Sequence, residues 1–485
     1  MGKRLSRWVL NLLGAGKLYE EVVVEDRTQN INAQIRQDLQ HLLKSTNVDN
    51  PFFRGKFDEF LAENSDVDDE AFFREYSKLP AFSKQDYAEA GTSVMPEALG
   101  SKVDELELKF EGKPFQTLSQ LRKGGFIMPM ATGGSTSLPL KVQMTKHHMF
   151  SMLFTFFKCW YRMGWRPGDK ILVFYPKNTY NIDDLARFNR IGWLTGFKIH
   201  LFDRIDQDSI SGLVKELNSF KPKMLLVFPS PLNMIAETIR KYKLPLRHHP
   251  ELINTSGETF FDCQRKNIAN VFTRSKVEDS YGSVELGEIA HETQNGLEVF
   301  SNVSYIETAP NENGKPEMIV TSLKMTEFPF IRYKMKDIAD IEFRRDANGR
   351  ESYVLSNIEG KDSNFILSHS GQRFYPSFFN QFVNRLNAQF DDSIAEIKVY
   401  ERGQKEMEIQ FIVRDQADRE AIQKSTCELL TQEMGNEMDY QVKFVEFIDH
   451  DYRRKYRVIE RIGDVEYAGG IVGDTQKLAA INQGE

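Results

Sequence analysis

Residues 223–230 read K-M-L-L-V-F-P-S. A continuous apolar run ending in a Pro-Ser turn describes a short strand buried on both faces, as in a parallel sheet. Outward from it, K-I-L-V-F-Y at 170–175 is a second such run, 198–202 a third and 252–255 a fourth. Helical patterns lie between and beside them, near 183–195, 209–218 and 232–241. Strand–helix alternation predicts a largely parallel sheet covered by helices. Segments 267–272 and 276–281 continue it. In such sheets ligands collect beyond the carboxyl ends of the strands. Three polar turns are expected there: 132–136, 256–258 and 281–285.

The flanks differ in texture. Residues 28–47 place Ile31, Ile35, Leu39, Leu42 and Leu43 on one helical face. A second helix is predicted over 69–77, and Ser83 is a plausible cap for a third. The first ninety residues therefore read as mainly helical. From about 297, short runs at 306–308, 317–323, 339–343 and 353–356 alternate with turns, which predicts antiparallel β structure. After a junction at 357–376 come a helix (377–389), two strands (394–400, 406–413), a helix (416–434) and a strand (440–447). The charged turn 401–406 reads as a solvated hairpin tip. The expected fold class is α/β. A large N-terminal domain, 1–359, combines helix-flanked, largely parallel sheets with a small antiparallel β region. A smaller, mobile α+β domain, 360–485, follows.

Composition narrows the function classes. With 485 residues, two or three domains are expected, and a net charge of −7 argues against a nucleic-acid binder. Cys159, Cys263 and Cys427 are far apart and form no C-x-x-C pair, which favours a reduced, cytoplasmic chain without structural zinc. No apolar run is long enough to span a bilayer; the best, 149–165, is broken by Lys158 and Arg162. Residues 1–16 read as an amphipathic helix. It either docks on the protein or makes weak peripheral membrane contact through Lys3, Arg4 and Arg7. A homodimer is left open.

Residues 126–146, F-I-M-P-M-A-T-G-G-S-T-S-L-P-L-K-V-Q-M-T-K, hold the densest polar strip. Gly133 and Gly134 allow successive N–H groups to face one concavity. Thr132, Ser135, Thr136 and Ser137 add hydroxyls, and Lys141 a positive charge. That chemistry suits a polyphosphate, although such clusters read equally as surface turns. No Gly-Lys-Ser/Thr follows, so it is not a P-loop. A helix over 146–161 comes next, with His147 and His148 read as surface or cap residues.

The polar turns form an ordered set. A-T-G-G-S-T-S-L-P-L-K (131–141) is followed by N-T-S-G-E-T (254–259) and D-S-Y-G-S-V-E (279–285). Then come T-S-L-K-M-T-E-F-P-F-I-R-Y-K-M-K-D-I-A (321–339) and I-E-G-K-D-S-N-F-I-L-S-H-S-G-Q-R-F-Y-P (358–376). In this order they resemble the motifs of the adenylate-forming enzymes, in the phenylacetate–CoA ligase-like branch that includes capsule-biosynthesis homologues. The resemblance runs from about 79 to about 457.

The resemblance implies an ATP-dependent, AMP-forming acid–thiol ligase using ATP, Mg2+ and CoA on a small carboxylic acid. Thr132, Gly133, Gly134, Ser135, Thr136 and Lys141 would hold the phosphates, with Thr136 also counted as catalytic. Gly257, Glu258, Gly282, Ser283 and Lys361 would line the nucleotide. Tyr281 would lie against the adenine, Asp337 would accept from the ribose hydroxyls, and Glu285 would hold Mg2+. Lys455, or Arg454 in another register, would be the cation carried by the C-terminal domain on a hinge at 360–362. Residues 173–202 and 226–260 would line the acid pocket, where Tyr175, Tyr180 and Phe228 suggest an apolar acid. Ser137, Lys336, Lys361 and Asn364 depart from the family pattern. They keep two alternatives open: an adenylating ligase with a non-CoA acceptor (amine, hydroxyl or carrier protein), and a nucleotide-binding homologue that has lost catalysis.

Overall fold

The computed structural model describes residues 14–110, 127–131, 140–176, 189, 196–361, 365–368, 371–402, 406–436, 438–448, 456–462, 466–467 and 470–471. In chain order the main elements begin with α1 (Ile31–Asp49), α2 (Asp58–Glu63), α3 (Asp69–Tyr76), α4 (Lys84–Ala90) and α5 (Glu97–Phe110). Then come β1 (Ile127–Ala131), β2 (Lys141–Thr145), α6 (Lys146–Met163), β3 (Ile171–Pro176), β4 (Phe197–Phe202), α7 (Gln207–Phe220), β5 (Met224–Val227), α8 (Pro229–Lys241), β6 (Leu252–Ser256) and α9 (Asp262–Val271). An antiparallel run follows: β7 (Lys276–Ser283), β8 (Gly287–Thr293), β9 (Gly296–Val299), β10 (Ser304–Pro310), β11 (Pro316–Ser322), β12 (Tyr333–Arg345) and β13 (Glu351–Lys361). The last part holds β14 (Ile366–Leu367), β15 (Arg373–Phe374), α10 (Pro376–Gln389), β16 (Ile394–Glu401), β17 (Glu406–Val413), α11 (Arg419–Met434), β18 (Asp439–Phe444) and β19 (Ile459–Arg461). The chain is thus α/β, with a parallel sheet, an antiparallel region and a smaller C-terminal α+β region. The helix expected at 183–195 lies outside the described residues.

The chain gathers into two compact units, Met1–Pro167 with Ser280–Ile358, and Gly168–Asp279 with Glu359–Glu485. In the first, the N-terminal helices pack on the antiparallel strands. The predicted face of α1 (Ile31, Ile35, Leu39, Leu42, Leu43) is buried with Phe53, Phe72, Tyr76, Tyr87, Phe328 and Phe330. Ser83 caps α4 in a reciprocal capping box with Asp86, as its position before the helix predicts. Thr145 caps α6 by accepting from the His148 N–H at 3.1 Å. The helix at 1–16 falls mostly outside the described residues. Tyr19, just beyond it, packs edge-on against Phe154 of α6. Among the described residues no helix is long and apolar enough to cross a membrane.

In the second unit, β4, β3, β5 and β6 pair in parallel in that order. Their apolar faces meet α7 and α8 through Leu172, Phe174, Leu225, Val227, Leu213 and Ile235. The C-terminal residues form a four-stranded sheet, β18-β17-β16-β19. Its core is continuous with α9: Phe261 and Cys263 pack among Ile366, Phe379, Ile397, Ile409 and Leu430. A buried polar knot sits beside them. Glu396 of β16 is 1% exposed and accepts from Asn233 Nδ2 of α8 at 2.5 Å and Gln264 Nε2 of α9 at 2.8 Å. Asn267 Nδ2 donates to Asn233 Oδ1 at 2.7 Å. Burial pushes the Glu396 carboxyl up to about 7, against the opposing pull of the two amides.

Two local expectations are corrected. His148 is not a surface residue; it is fully buried beside Phe328, and burial lowers its imidazole to about 4. Glu401 is not part of a solvated tip. It is buried and paired with Arg461 Nε at 2.8 Å.

Candidate active site

The antiparallel part of the first unit brings five sequence-selected positions to one place: Tyr281, Gly282, Ser283, Glu285 and Asp337. Tyr281 ends the regular part of β7, opposite Ala290 of β8. The register then shifts, so that Gly282 faces Glu288. A Cβ at Gly282 would lie 2.3 Å from the Gly287 carbonyl oxygen, so only glycine lets the two strands close here. Ser283 Oγ accepts from the Leu286 N–H at 3.2 Å and folds the turn that carries Glu285.

Asp337 comes from β12, at an irregularity. Glu317 pairs with Ile338 and Ile319 with Lys334, so two steps on β11 face four on β12. The surplus is taken up around Lys336, whose φ is 64°. This bulge re-aims Asp337, and the Tyr281 hydroxyl donates to its Oδ2. This left-handed conformation is one that glycine adopts more readily than lysine. A side chain there costs about 1–2 kcal/mol, partly offset by the extra freedom glycine has when unfolded. Lys336→Gly is therefore expected to raise stability by about 1 kcal/mol, read as a higher urea midpoint with unchanged slope.

Glu285 is half-buried, and the Tyr333 hydroxyl donates to its Oε1 at 3.4 Å. The sequence reading did not single out Tyr333. Its signal was present: it stands four residues before Asp337 in I-R-Y-K-M-K-D. Tyr333 is 4% exposed and is clamped by Tyr87 (ring centroids 5.4 Å apart, 89°) and Phe330 (5.1 Å). Burial, then the neighbouring carboxylate, raises both phenols: Tyr281 beside Asp337, and Tyr333 beside Glu285. Both therefore stay protonated and act as donors.

A metal would fit at Glu285. Its oxygens are hard, half-accessible and bonded by a neutral phenol, and among the described residues no ion pair occupies it. No group of three or more metal-ligating side chains occurs among the described residues. Mg2+ needs none, since it takes one or two carboxylates and completes its shell with water and phosphate.

Lys141 is exposed at the start of β2, opposite Ala131 of β1. Thr132, Gly133, Gly134, Ser135 and Thr136, between these antiparallel strands, lie outside the described residues, as do Lys455 and Arg454. Lys361 ends β13, and its side chain is likewise outside.

Gly257 and Glu258 belong to the second unit. Gly257 has φ 83° and turns the chain after β6. Glu258 accepts from the Ser230 N–H at 3.0 Å and its hydroxyl at 2.7 Å, at the start of α8. Its other oxygen accepts from the Tyr456 N–H at 2.9 Å. The sequence assigned Glu258 to the nucleotide; in the structure it ties the residue after Lys455 to this turn. Nearby in the chain, Thr255 Oγ1 bonds Asp279 at 2.7 Å. Tyr175 and Phe228, at the carboxyl ends of β3 and β5, stack with centroids 4.7 Å apart and planes at 11°. Tyr180 lies outside the described residues.

The fold is that of the adenylate-forming CoA ligases. Over 93% of this chain and 91% of the other, it superposes on 2-hydroxyisobutyryl-CoA ligase in the postadenylation state with R3-HIB-AMP, at a TM-score of 0.64 and 17% identity. The open conformation of that ligase with 2-HIB-AMP and CoA gives 0.50 and 17%, over 89% and 91%. In sequence, the chain is similar to the protein CapK of Staphylococcus aureus, 27% identical over 165 residues, or 34% of this chain and 36% of CapK. The match thus spans about a third of that curated relative. Compared with known protein families, the chain matches none.

Proposed function

We propose that the protein belongs with the adenylate-forming ligases in activity as well as fold, and activates a small carboxylic acid with ATP. A carboxylate oxygen attacks the α-phosphorus, the α–β P–O bond breaks, and pyrophosphate leaves, giving the acyl-adenylate. A thiol, CoA in the leading reading, then attacks the carbonyl carbon, expels AMP and gives up its proton. The observation that carries this reading is the meeting of Tyr281 and Glu285, from the turn at 281–285, with Asp337 from β12 in one part of the first unit. In it, Tyr281 lies against the adenine, Asp337 accepts from the ribose, and Glu285 holds Mg2+, which neutralises the departing phosphates. Thr132–Thr136 and Lys141 hold the triphosphate. Gly257, Glu258, Gly282, Ser283 and Lys361 line it. Lys455 supplies the positive charge at the α-phosphate. The flat Tyr175–Phe228 pair suits an apolar or aromatic acid.

The replacement of the hinge arginine by Lys361 favours a second acceptor reading, since lysine loses the planar fork that Arg offers phosphate. There the acyl group goes to an amine, hydroxyl or carrier-protein thiol.

The test is acid-dependent exchange of pyrophosphate into ATP over a panel of aliphatic and aromatic acids. Exchange well above background with at least one acid is expected. ATP binding without exchange for any acid would overturn the reading in favour of a nucleotide-binding homologue. CoA dependence with the active acid then separates the two acceptors.

A further inference from the structure

We propose that Tyr281 and Tyr333 are positioning residues. Their hydroxyls hold the carboxylates of Asp337 and Glu285 in the orientation that receives a ribose and a Mg2+–phosphate group. This rests on the nucleotide part of the function proposed above.

The two pairs share a design. Each carboxylate comes from an irregular segment: Glu285 from the turn after β7, Asp337 from the bulge at Lys336. In each pair the phenol's hydrogen bond selects among the rotamers open to the carboxylate. The nucleotide would pay for that ordering if the protein did not. Each phenol, in contrast, is rigidly placed. Tyr281 is in register on β7 opposite Ala290 and packs against the core of the first unit. Tyr333 pairs with Val320, bridges to Phe82 and is enclosed by Tyr87 and Phe330.

The donors are also chosen to leave the carboxylates useful. A lysine or arginine in either place would neutralise the charge that a metal ion needs and compete with ribose hydroxyls. A neutral phenol orients one oxygen without cancelling the carboxylate's negative charge. The two pairs serve different parts of the nucleotide, since Tyr281 sets the ribose acceptor and Tyr333 the metal carboxylate.

The experiment is calorimetric binding on the full chain. Tyr281→Phe keeps the ring and deletes the hydroxyl. It is expected to lower the preference for ATP over 2′-deoxy-ATP about fivefold, with the Mg2+ dependence of ATP binding unchanged. Tyr333→Phe is expected to raise the Mg2+ concentration giving half-maximal ATP affinity about fivefold, with the ribose preference unchanged. A general loosening of the fold would move both readouts together, and either variant leaving its own readout within twofold of the parent overturns the assignment. Pyrophosphate exchange run alongside separates the two claims. Binding shifts without exchange keep this inference and sink acid activation, whereas exchange without the paired shifts does the reverse.

Discussion

Glu285→Gln is expected to lower acid-dependent pyrophosphate exchange about a hundredfold, with the folded state unchanged. The amide has the shape of the carboxylate, and its oxygen can still accept from the Tyr333 hydroxyl. What it loses is one negative charge. In the proposed reaction that charge holds the cation that neutralises pyrophosphate as the α–β bond breaks. A charge-stabilising group of this kind contributes about 3 kcal/mol to the barrier, which is about two powers of ten in rate. Raising Mg2+ should recover only part of the loss, because the site holds the ion in one place as well as binding it. Initial rates at several Mg2+ concentrations, with a urea melt as the folding control, decide the matter. A variant within threefold of the parent would falsify the role given to Glu285.

The second large effect concerns stability. Glu396→Gln is expected to change the urea midpoint little near pH 5 and to stabilise the protein by about 3 kcal/mol at pH 8. The folded-state pKa of Glu396 is raised from 4.5 to about 7. Both folded and unfolded chains hold the proton below about 4.5, so nothing is lost there. Between 4.5 and 7 the unfolded chain releases it while the folded chain keeps it, and stability falls as pH rises. Above 7 the folded chain carries a buried anion, and the loss is complete. A difference of about two and a half pH units at about 1.4 kcal/mol each gives the magnitude. The titratable neighbours are Glu258, whose charge also pushes Glu396 up, Lys398 on the same strand, Cys263 on α9 and Tyr456. Lys398 is itself lowered by burial, so the parent protein's full pH profile is a sum. The difference between parent and variant isolates Glu396. Parallel profiles from pH 5 to 8 would sink the claim.

Most of the architecture was legible because periodicity reports burial. The runs at 170–175 and 223–230 form β3 and β5, paired in parallel at Val173 and Leu226. The face of α1 appears residue for residue in the core. Helix ends moved by a few positions: α8 starts at Pro229 rather than 232, since proline suits a first helical turn. Less legible were residues whose surroundings arrive from far along the chain. Glu396 sits in I-A-E-I-K-V-Y-E, which reads as a strand with one wet face. Yet all eight residues of β16 are buried: α8 and α9 bring amides to Glu396, Glu460 pairs with Lys398, and Arg461 pairs with Glu401. His148 looked like a cap beside His147, but Phe328, 180 positions away, covers it.

The site divides in the same way. Tyr281, Glu285 and Asp337 were visible as short motifs because turns announce themselves locally. Tyr333 was not, because an aromatic before a polar turn looks like ordinary packing, and its hydroxyl acquires a purpose only when the turn at 285 arrives. The bulge at Lys336 was read only as a departure from pattern. Its φ of 64° is a left-handed backbone conformation held by a lysine, which the sequence does not announce.

Because Phe261 and Cys263 share a core with Ile366, Phe379 and Ile397, the C-terminal segment is not an interchangeable cassette. A tail grafted on after the glycine near 360 that lacks Glu396 would leave the Asn233 and Gln264 amides without this acceptor. A chimera that respects the packing has to carry residues 229–271 along with the tail.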